Sequence, residues 1–362
     1  MSGSESKVAA LLAACVRAEV RQVAAYHVPD ATGLVKLDAM ENPYTFPEPM
    51  RAALGARLRE VALNRYPAPR PQALMAQLRA ACGVPPASGL LLGNGSDEII
   101  QMLLMALPRE RAVLAPLPSF VMYEFSARMV GRRFVGVELG ADFALDVAAM
   151  RAAIARERPG LIFIAYPNNP SGNCFDANAI EAILQAVADG LVVVDEAYFP
   201  FAQKSFLPRL NDHPNLLVMR TLSKQGLAGL RLGFLCGAPA LIEAIDKIRL
   251  PYNINVLSQA AAAFALEQAE VLDAQAAQIC AERALLAQRV SALGLKVWPS
   301  DANFLLFRVA AAARVFEALR ANGVLIKKLD GAHPRLAGCL RVTVGTPAEN
   351  TAFVAALERA LG

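Results

Sequence analysis

Short apolar runs that alternate with helical segments restrict most strongly how this chain can fold. Four such runs lie in the middle of the sequence, at residues 112–115, 161–165, 191–195 and 215–219. Near-continuous apolar runs of this length are typical of strands buried on both faces of a parallel sheet. The second and third runs are separated by apolar residues at helical spacing, with Gly190 as a stop: Ile180, Ile183, Leu184 and Val187. This order predicts βαβ units, and therefore a mostly parallel sheet covered by helices on both faces.

The length of 362 residues exceeds the usual size of one hydrophobic core, which indicates more than one domain. We expect a large domain over residues 46–250, a small α+β domain over 251–362, and an N-terminal arm over 1–45 that packs with the small domain. The small domain is expected to contain one long Ala-rich helix over 258–291. Its other elements are predicted as strands at 295–298, 303–309, 324–327 and 340–344, and as helices at 314–321 and 348–361.

Charge and cysteine content exclude several classes of function. The formal net charge is +4 and no run of lysine or arginine occurs, so neither nucleic acid nor an anionic membrane is an expected partner. The six cysteines and three histidines are scattered, and no CxxC pair is present. Clustered ligands are needed for zinc or an iron–sulfur cluster, so no metal site is expected. Free thiols in a reducing cytoplasm are the interpretation that fits this spacing.

The N-terminal apolar stretch at residues 8–16 superficially resembles a signal peptide. Glu5 precedes it, the stretch is very short, and charged residues follow at once, which argues against a leader. An amphipathic helix is the favoured prediction, with four side chains on its apolar face: Leu12, Val16, Val20 and Val23. No apolar run in the sequence is long enough to span a bilayer.

Gly93–Glu98 reads GNGSDE and precedes apolar residues at helical spacing. The free N–H groups and the positive dipole end of such a helix make a natural phosphate site, and glycine lets the backbone approach closely. The simpler interpretation is that Ser96 or Asp97 only caps the helix.

Asp195 ends the predicted strand at residues 191–195, and Lys224 lies just past the predicted strand at residues 215–219. Ligands of open α/β sheets bind outside the carboxyl ends of the strands, so a buried acid there is expected to face a cation or a protonated nitrogen. Lys224 ends TLSK, and Arg231 follows soon after, which suits an amine that bonds an aldehyde while its neighbours hold a phosphate. A helix cap or salt bridge for the acid, and a solvated surface lysine, are the alternatives.

The loop YPNNPSG at residues 166–172 follows the strand at 161–165. Its asparagines either orient a ligand or build the turn. A phosphate loop, an asparagine turn, an acid and a lysine in this order indicate one crevice. Their combined roles fit pyridoxal 5'-phosphate, with the lysine as Schiff-base amine and the acid holding the pyridine nitrogen protonated.

These residues resemble the fold-type I pyridoxal-phosphate-dependent aminotransferases of class II, and among them the histidinol-phosphate aminotransferases. The resemblance runs from about residue 26 to the C-terminus and is carried by AMENPY (39–44), RYP (65–67), GNGSDE, PSF (118–120), YPNNPSG, VVDEAY (193–198), RTLSK with AGLRLGF (220–234) and GCLRVTVGT (338–346). It implies a seven-stranded, mostly parallel sheet flanked by helices in the large domain. It also implies a cytoplasmic homodimer that exchanges an amino group between L-histidinol phosphate and 2-oxoglutarate, giving imidazole acetol phosphate and glutamate in histidine biosynthesis.

The resemblance also implies roles for individual residues. Lys224 would form the Schiff base, Asp195 would pair with the pyridine nitrogen, and Tyr198 would contact the ring hydroxyl, as would Asn169. Phe120 would stack on the ring. The phosphate contacts would be Gly95, Ser96, Asp97, Thr221, Ser223, Arg231 and, across the dimer interface, Tyr66. Arg341, Lys327, Tyr44 and Asn42 would contact the substrate.

Three departures from the family pattern affect these expectations. The spacing from Lys224 to Arg231 is one residue shorter than in many relatives, so this loop is expected to be tighter. Phe120 replaces a common tyrosine. Lys327 replaces an arginine that helps to hold the substrate phosphate in some relatives, and lysine lacks the bidentate fork. The open alternatives are an aromatic-amino-acid aminotransferase or a threonine-phosphate decarboxylase of the same fold, and a non-catalytic cofactor-binding or scaffold protein.

Overall fold

The structure is a computed structural model that describes residues 3–25 and 28–362, with side chains from residue 7 onward. In chain order the strands are β1 (Val35–Lys36), β2 (Gly89–Gly93), β3 (Val113–Leu117), β4 (Phe134–Glu138), β5 (Leu161–Ala165), β6 (Leu191–Asp195), β7 (Leu216–Thr221), β8 (Gly233–Gly237), β9 (Lys296–Val297), β10 (Phe304–Arg308), β11 (Val324–Leu325), β12 (Lys327–Lys328) and β13 (Cys339–Thr343).

The helices surround these strands in the alternating order that the sequence predicts. In chain order they are α1 (Gly3–Cys15), α2 (Ala18–Gln22), α3 (Glu48–Arg59), α4 (Gln72–Cys82), α5 (Ser96–Ala106), α6 (Val121–Met129), α7 (Val147–Glu157), α8 (Ala177–Ala186), α9 (Phe199–Ala202), α10 (Pro239–Asp246), α11 (Val256–Glu267), α12 (Ala269–Ala292), α13 (Ala312–Ala321) and α14 (Pro347–Leu361). No helix in the described part of the chain is long and apolar enough to cross a membrane.

The central sheet has seven strands in the order β2-β8-β7-β6-β5-β3-β4. β8 runs antiparallel to both of its neighbours, and the other pairs are parallel. Helices cover both faces: Ile99 and Leu103 of α5 pack in one core cluster, and Ile183 and Leu184 of α8 pack in another. The predicted mostly parallel seven-stranded sheet is confirmed.

A second sheet near the C-terminus has the order β12-β13-β10-β9 and is antiparallel. Its core includes Leu37 and Met40 from the N-terminal segment, and β1 pairs in parallel with β11. Earlier in the same segment Arg17 donates to the Met129 carbonyl at the end of α6, so the arm also contacts the helices of the central sheet. The domain boundaries at residues 45 and 250 stay a prediction.

Three predicted elements differ in the structure. The long helix expected over 258–291 is two helices, α11 and α12, because the backbone leaves the helical region at Gln268 (φ −119°, ψ 32°). The strand expected over 324–327 is divided between β11 and β12, which belong to different sheets. The N-terminal helix is divided into α1 and α2, and its predicted apolar face is largely exposed, with Leu12, Val20 and Val23 accessible.

Candidate active site

The carboxyl ends of the central strands open into one cleft of about 370 Å³. β5 leads to Asn169, β6 ends at Asp195, and β7 ends at Thr221, three residues before Lys224. Ten of the predicted cofactor-binding residues line this cleft: Ser96, Asp97, Phe120, Asn169, Asp195, Tyr198, Thr221, Ser223, Lys224 and Arg231. Parallel strands bring these ends to the same edge of the sheet, although the residues are far apart in sequence.

One end of the cleft is built for an anion. Gly95 precedes α5 with φ +78°, and a Cβ there would lie 2.5 Å from the Arg231 guanidinium. The hydroxyl of Ser96, the first residue of α5, is buried and has no hydrogen-bond partner within the described protein. A helix N-terminus, an unsatisfied hydroxyl and a guanidinium together fit a phosphate group.

The loop between Lys224 and Arg231 completes this anion site. Thr221 Oγ1 donates to Ser223 Oγ at 2.9 Å, and Arg231 reaches both Ser223 Oγ at 3.4 Å and Asp97 Oδ2 at 3.2 Å. The loop is formed by two short turns, with Gly226 at φ +110° and Arg231 at φ +50°. The left-handed conformation at Gly226 shows how the loop makes its turn in so few residues.

Asp195 is 4% exposed and is held by two donors. Tyr123 Oη donates to Asp195 Oδ2 at 2.6 Å, and the Ala197 N–H donates to Oδ1 at 3.1 Å. Burial raises the pKa of Asp195 to about 6, although both hydrogen bonds act in the opposite direction. A carboxylate in this environment is stabilised by a cationic partner, and the described residues place no arginine or lysine in hydrogen-bond contact with it.

Lys224 lies across the cleft floor, where its Nζ is 3.4 Å from the Ala39 carbonyl and 5.9 Å from the Tyr198 ring centroid. Burial lowers its pKa to about 8, and the positive charge of Arg341 contributes in the same direction. Lowering the pKa of an amine increases its neutral, nucleophilic fraction near neutral pH. The arrangement suits covalent capture of an aldehyde.

A hydrogen-bonded chain joins Tyr198, Asn169 and Arg341. Asn169 Nδ2 donates to Tyr198 Oη at 3.1 Å, and Arg341 Nη1 donates to Asn169 Oδ1 at 2.5 Å. Arg341 Nη2 also donates to the Asp38 carbonyl at 3.1 Å. Burial raises the pKa of Tyr198, so its hydroxyl keeps its proton and can donate.

A second cavity of about 440 Å³ adjoins the cleft and shares Met40, Phe120 and Asn169 with it. Arg341 and Lys327 line this second cavity and are register partners on β13 and β12. Two basic side chains on adjacent strands give the second cavity a positive character that suits an anionic substrate group.

Three predicted residues line neither of the two cavities and lie outside the anion site: Asn42, Tyr44 and Tyr66. Asn42 Nδ2 donates to the carbonyl of Gln225, in the loop that follows Lys224, at 3.2 Å. The Tyr44 N–H donates to Asn42 Oδ1 at 2.8 Å. Tyr66 is 81% exposed and stacks on Tyr252, with ring centroids 4.6 Å apart. Within this single chain, Tyr66 therefore faces outward.

Nine residues of the cleft lining are not among the predicted site residues: Ala39, Met40, Glu41, Tyr123, Ala165, Pro167, Ala197, Ala228 and Gly229. The first three belong to AMENPY, whose later residues were singled out instead. Tyr123 follows Phe120 by three positions on one helical face, a spacing that could have indicated it. The described residues contain no group of three or more His, Cys, Asp or Glu side chains able to hold a metal ion.

Comparison with known proteins defines the class. The sequence pattern of the aminotransferase class I and II family matches residues 32–357. The chain therefore belongs to this family and is an aminotransferase of the fold-type I architecture.

The chain is also similar to individual proteins within this family. The chain is 58% identical to histidinol-phosphate aminotransferase 1 of Burkholderia lata over 348 residues, covering 96% of this chain and 98% of that protein. The crystal structure of histidinol-phosphate aminotransferase from Sinorhizobium meliloti in complex with pyridoxal-5'-phosphate has a TM-score of 0.86 at 25% identity, covering 96% and 97% of the two chains. L-threonine-O-3-phosphate decarboxylase from Porphyromonas gingivalis shares the fold, with a TM-score of 0.76 at 22% identity, covering 90% and 99%.

Proposed function

We propose that this aminotransferase holds pyridoxal 5'-phosphate in the 370 Å³ cleft and exchanges an amino group between L-histidinol phosphate and 2-oxoglutarate. The observation that carries the proposal is that the Lys224 amine and the buried Asp195 carboxyl line one cleft, with an anion site at its end. The 58% identity to a histidinol-phosphate aminotransferase supports the choice of substrate.

The cofactor residues follow from the chemistry of each donor. Gly95, Ser96, Asp97, Thr221, Ser223 and Arg231 would hold the phosphate. Asp195 would pair with the pyridine nitrogen, Tyr198 and Asn169 would contact the ring hydroxyl, and Phe120 would stack on the ring. When bound, the cofactor supplies an aldehyde that bonds amines and a protonated ring that withdraws electrons.

Lys224 would serve twice in the reaction. Its neutral amine would hold the cofactor aldehyde in the absence of substrate. Once free, its Nζ would move a proton next to the substrate Cα, first as a general base and then as a general acid. The lowered pKa of about 8 suits both directions of this transfer near neutral pH.

Arg341 would bind the acidic group of each substrate. Its side chain lines the second cavity and donates to Asn169, which lines both cavities. On β13 it lies in register with Lys327 of β12. A guanidinium can hold either a carboxylate or a phosphate in a bidentate manner, which would let glutamate and histidinol phosphate use one site. Lys327 would add charge toward the substrate phosphate.

We also propose a cytoplasmic homodimer in which Tyr66 reaches the cofactor phosphate of the partner subunit. Tyr66 stacks on Tyr252, and Leu63 and Leu250, each within three residues of one of these tyrosines in the sequence, are exposed as well. A dimer would cover these apolar side chains. Such a patch is typical of a protein interface. The six free cysteines suit a reducing compartment.

A half-reaction with a substrate panel tests the proposal. The purified protein is loaded with cofactor, and histidinol phosphate, tyrosine, phenylalanine and threonine phosphate are added singly while the visible absorption band is followed. Histidinol phosphate should bleach the band at the highest kcat/KM. Preference for an aromatic amino acid, or release of carbon dioxide from threonine phosphate, would contradict the substrate assignment.

Lys224→Ala provides the test of the chemistry. This variant should lose transamination and still bind cofactor through the phosphate site. Lys204→Ala, which removes an exposed lysine paired with Asp301, is the matched control and should keep full activity. Full turnover by Lys224→Ala would contradict the mechanism.

A further inference from the structure

The hydroxyl of Tyr123 makes the shortest contact to Asp195 in the cleft, at 2.6 Å. Both side chains are buried, at 1% exposure for Tyr123 and 4% for Asp195. The other donor to this carboxyl is the backbone N–H of Ala197, on the opposite oxygen. Tyr123 is therefore the side chain that determines the orientation of the Asp195 carboxyl plane.

The ring of Tyr123 is fixed on both sides. It stacks on Phe163 of β5, with centroids 4.5 Å apart and planes 2° from parallel, and it meets Phe120 edge-on at 5.5 Å. Because Phe163 lies in the sheet and Phe120 lines the cleft, the hydroxyl cannot follow the carboxyl if the carboxyl rotates. The packing of the Tyr123 ring therefore holds its hydroxyl in a fixed position next to the Asp195 carboxyl.

We propose that Tyr123 is a positioning residue of this aminotransferase, whose hydroxyl holds the Asp195 carboxylate toward the cofactor ring nitrogen and limits how strongly that carboxylate draws a proton. The inference rests on the proposed function for the identity of the ring nitrogen. The hydrogen bond itself is independent of any ligand.

The physical reason is that a donor stabilises the charged form of a carboxyl. With Tyr123 in place, Asp195 would stay an anion, and the proton between its carboxylate and the cofactor ring would stay on the ring nitrogen. Without the hydroxyl, the carboxylate would be more basic and the proton would shift from the ring nitrogen toward the Asp195 carboxylate, so the ring would lose positive charge. Asp97, Glu196 and Tyr198 are the other ionisable neighbours, and Asp97 and Glu196 both act to raise the Asp195 pKa.

The first experiment uses the cofactor-free protein. The carboxyl C=O infrared band of Asp195 is identified by difference against Asp195→Asn and titrated with pH in wild type and Tyr123→Phe. Loss of one charge-assisted hydrogen bond should raise the titration midpoint by about one pH unit. Tyr166→Phe, which removes another buried tyrosine hydroxyl at the end of β5, is the matched control and should leave the midpoint unchanged.

A second substitution at position 123 should shift the Asp195 titration midpoint in the opposite direction. 3-Fluorotyrosine at position 123 keeps the ring and the hydroxyl and makes the hydroxyl a stronger donor. The Asp195 midpoint should then fall below the wild-type value. Melting curves by circular dichroism establish that each variant is folded.

The third measurement uses the loaded protein. In Tyr123→Phe the pH midpoint of the cofactor's visible band should rise, and kcat should fall about tenfold with KM nearly unchanged, because an interaction that acts on the ring charge is lost in the chemical step. An unchanged Asp195 midpoint in the folded Tyr123→Phe protein would overturn the inference. Failure of wild type to bind the cofactor would instead overturn the proposed function.

Discussion

The neutral fraction of Lys224 determines how fast this residue reacts with an aldehyde or an acylating reagent. Burial lowers its pKa from 10.5 to about 8, the positive charge of Arg341 adds to this effect, and Glu41 opposes it. At about pH 7.5, a pKa of about 8 leaves about one quarter of the amine neutral, against about one in a thousand for an unshifted lysine. Lys224 should therefore have about 240 times more neutral amine than an ordinary lysine at that pH.

Competitive acetylation of the cofactor-free protein measures this difference. Trace acetic anhydride is applied from about pH 6 to pH 11, a range that spans the Lys224 midpoint and the usual lysine value. Each lysine is quantified by peptide mass spectrometry. Labelling of Lys224 should reach half its maximum near pH 8. Lys36 is the internal control, because burial would lower its pKa but Glu41 and Asp38 together raise it, so its midpoint should lie above that of Lys224.

Two variants that each remove one charge should shift the labelling midpoint of Lys224 in opposite directions. Arg341→Gln removes a positive charge and should raise the Lys224 midpoint. Glu41→Gln removes a negative charge and should lower it. A Lys224 midpoint near that of Lys36, or the same direction of shift in both variants, would refute the reasoning.

Further predictions concern the loop, the phosphate site and the core. Gly95→Ala places a Cβ in a left-handed backbone against the guanidinium across the loop, so it should destabilise the protein by about 1–2 kcal/mol and weaken cofactor binding in a fluorescence titration. Gly55→Ala, at an exposed helix position with open space, should instead stabilise by about 0.5–1 kcal/mol in urea unfolding. Glu98→Ala removes the oxygen that accepts the loop N–H at 2.6 Å and should raise the cofactor Kd about tenfold in the same titration; an unchanged Kd would exclude a role in holding the loop. Arg220→Met leaves the buried Glu196 without its partner and should cost about 3–5 kcal/mol by thermal unfolding, whereas a loss under 1 kcal/mol would mean that the pair contributes little.

The strands of the central sheet were predictable because their pattern is local. Residues 161–165 and 191–195 form strands with the predicted bounds, since long apolar runs flanked by loop residues have few alternatives in a buried sheet. The break between α11 and α12 was not predictable in the same way. The sequence there is Ala-rich and has no proline or glycine, and the two helices separate because α11 packs against α4 while α12 packs against α9.

The cleft shows the same division between local and tertiary information. Motif order indicated Asp195, Lys224 and the phosphate loop, because each follows a strand and parallel strands present their ends together. Tyr123 lies 72 positions from Asp195, and no pattern in the sequence states that its hydroxyl meets that carboxyl.

By itself, the sequence determined the sheet, the chemical groups at its carboxyl edge and the family. Periodicity, strand ends and residue type are local properties that need no coordinates. Only the tertiary structure decided the environment of each group: the depth at which Asp195 is buried, the lowered pKa of Lys224, and the hydrogen-bonded chain from Arg341 through Asn169 to Tyr198. Burial and electrostatic shifts depend on which distant segments pack around a side chain, and that packing exists only in the folded chain.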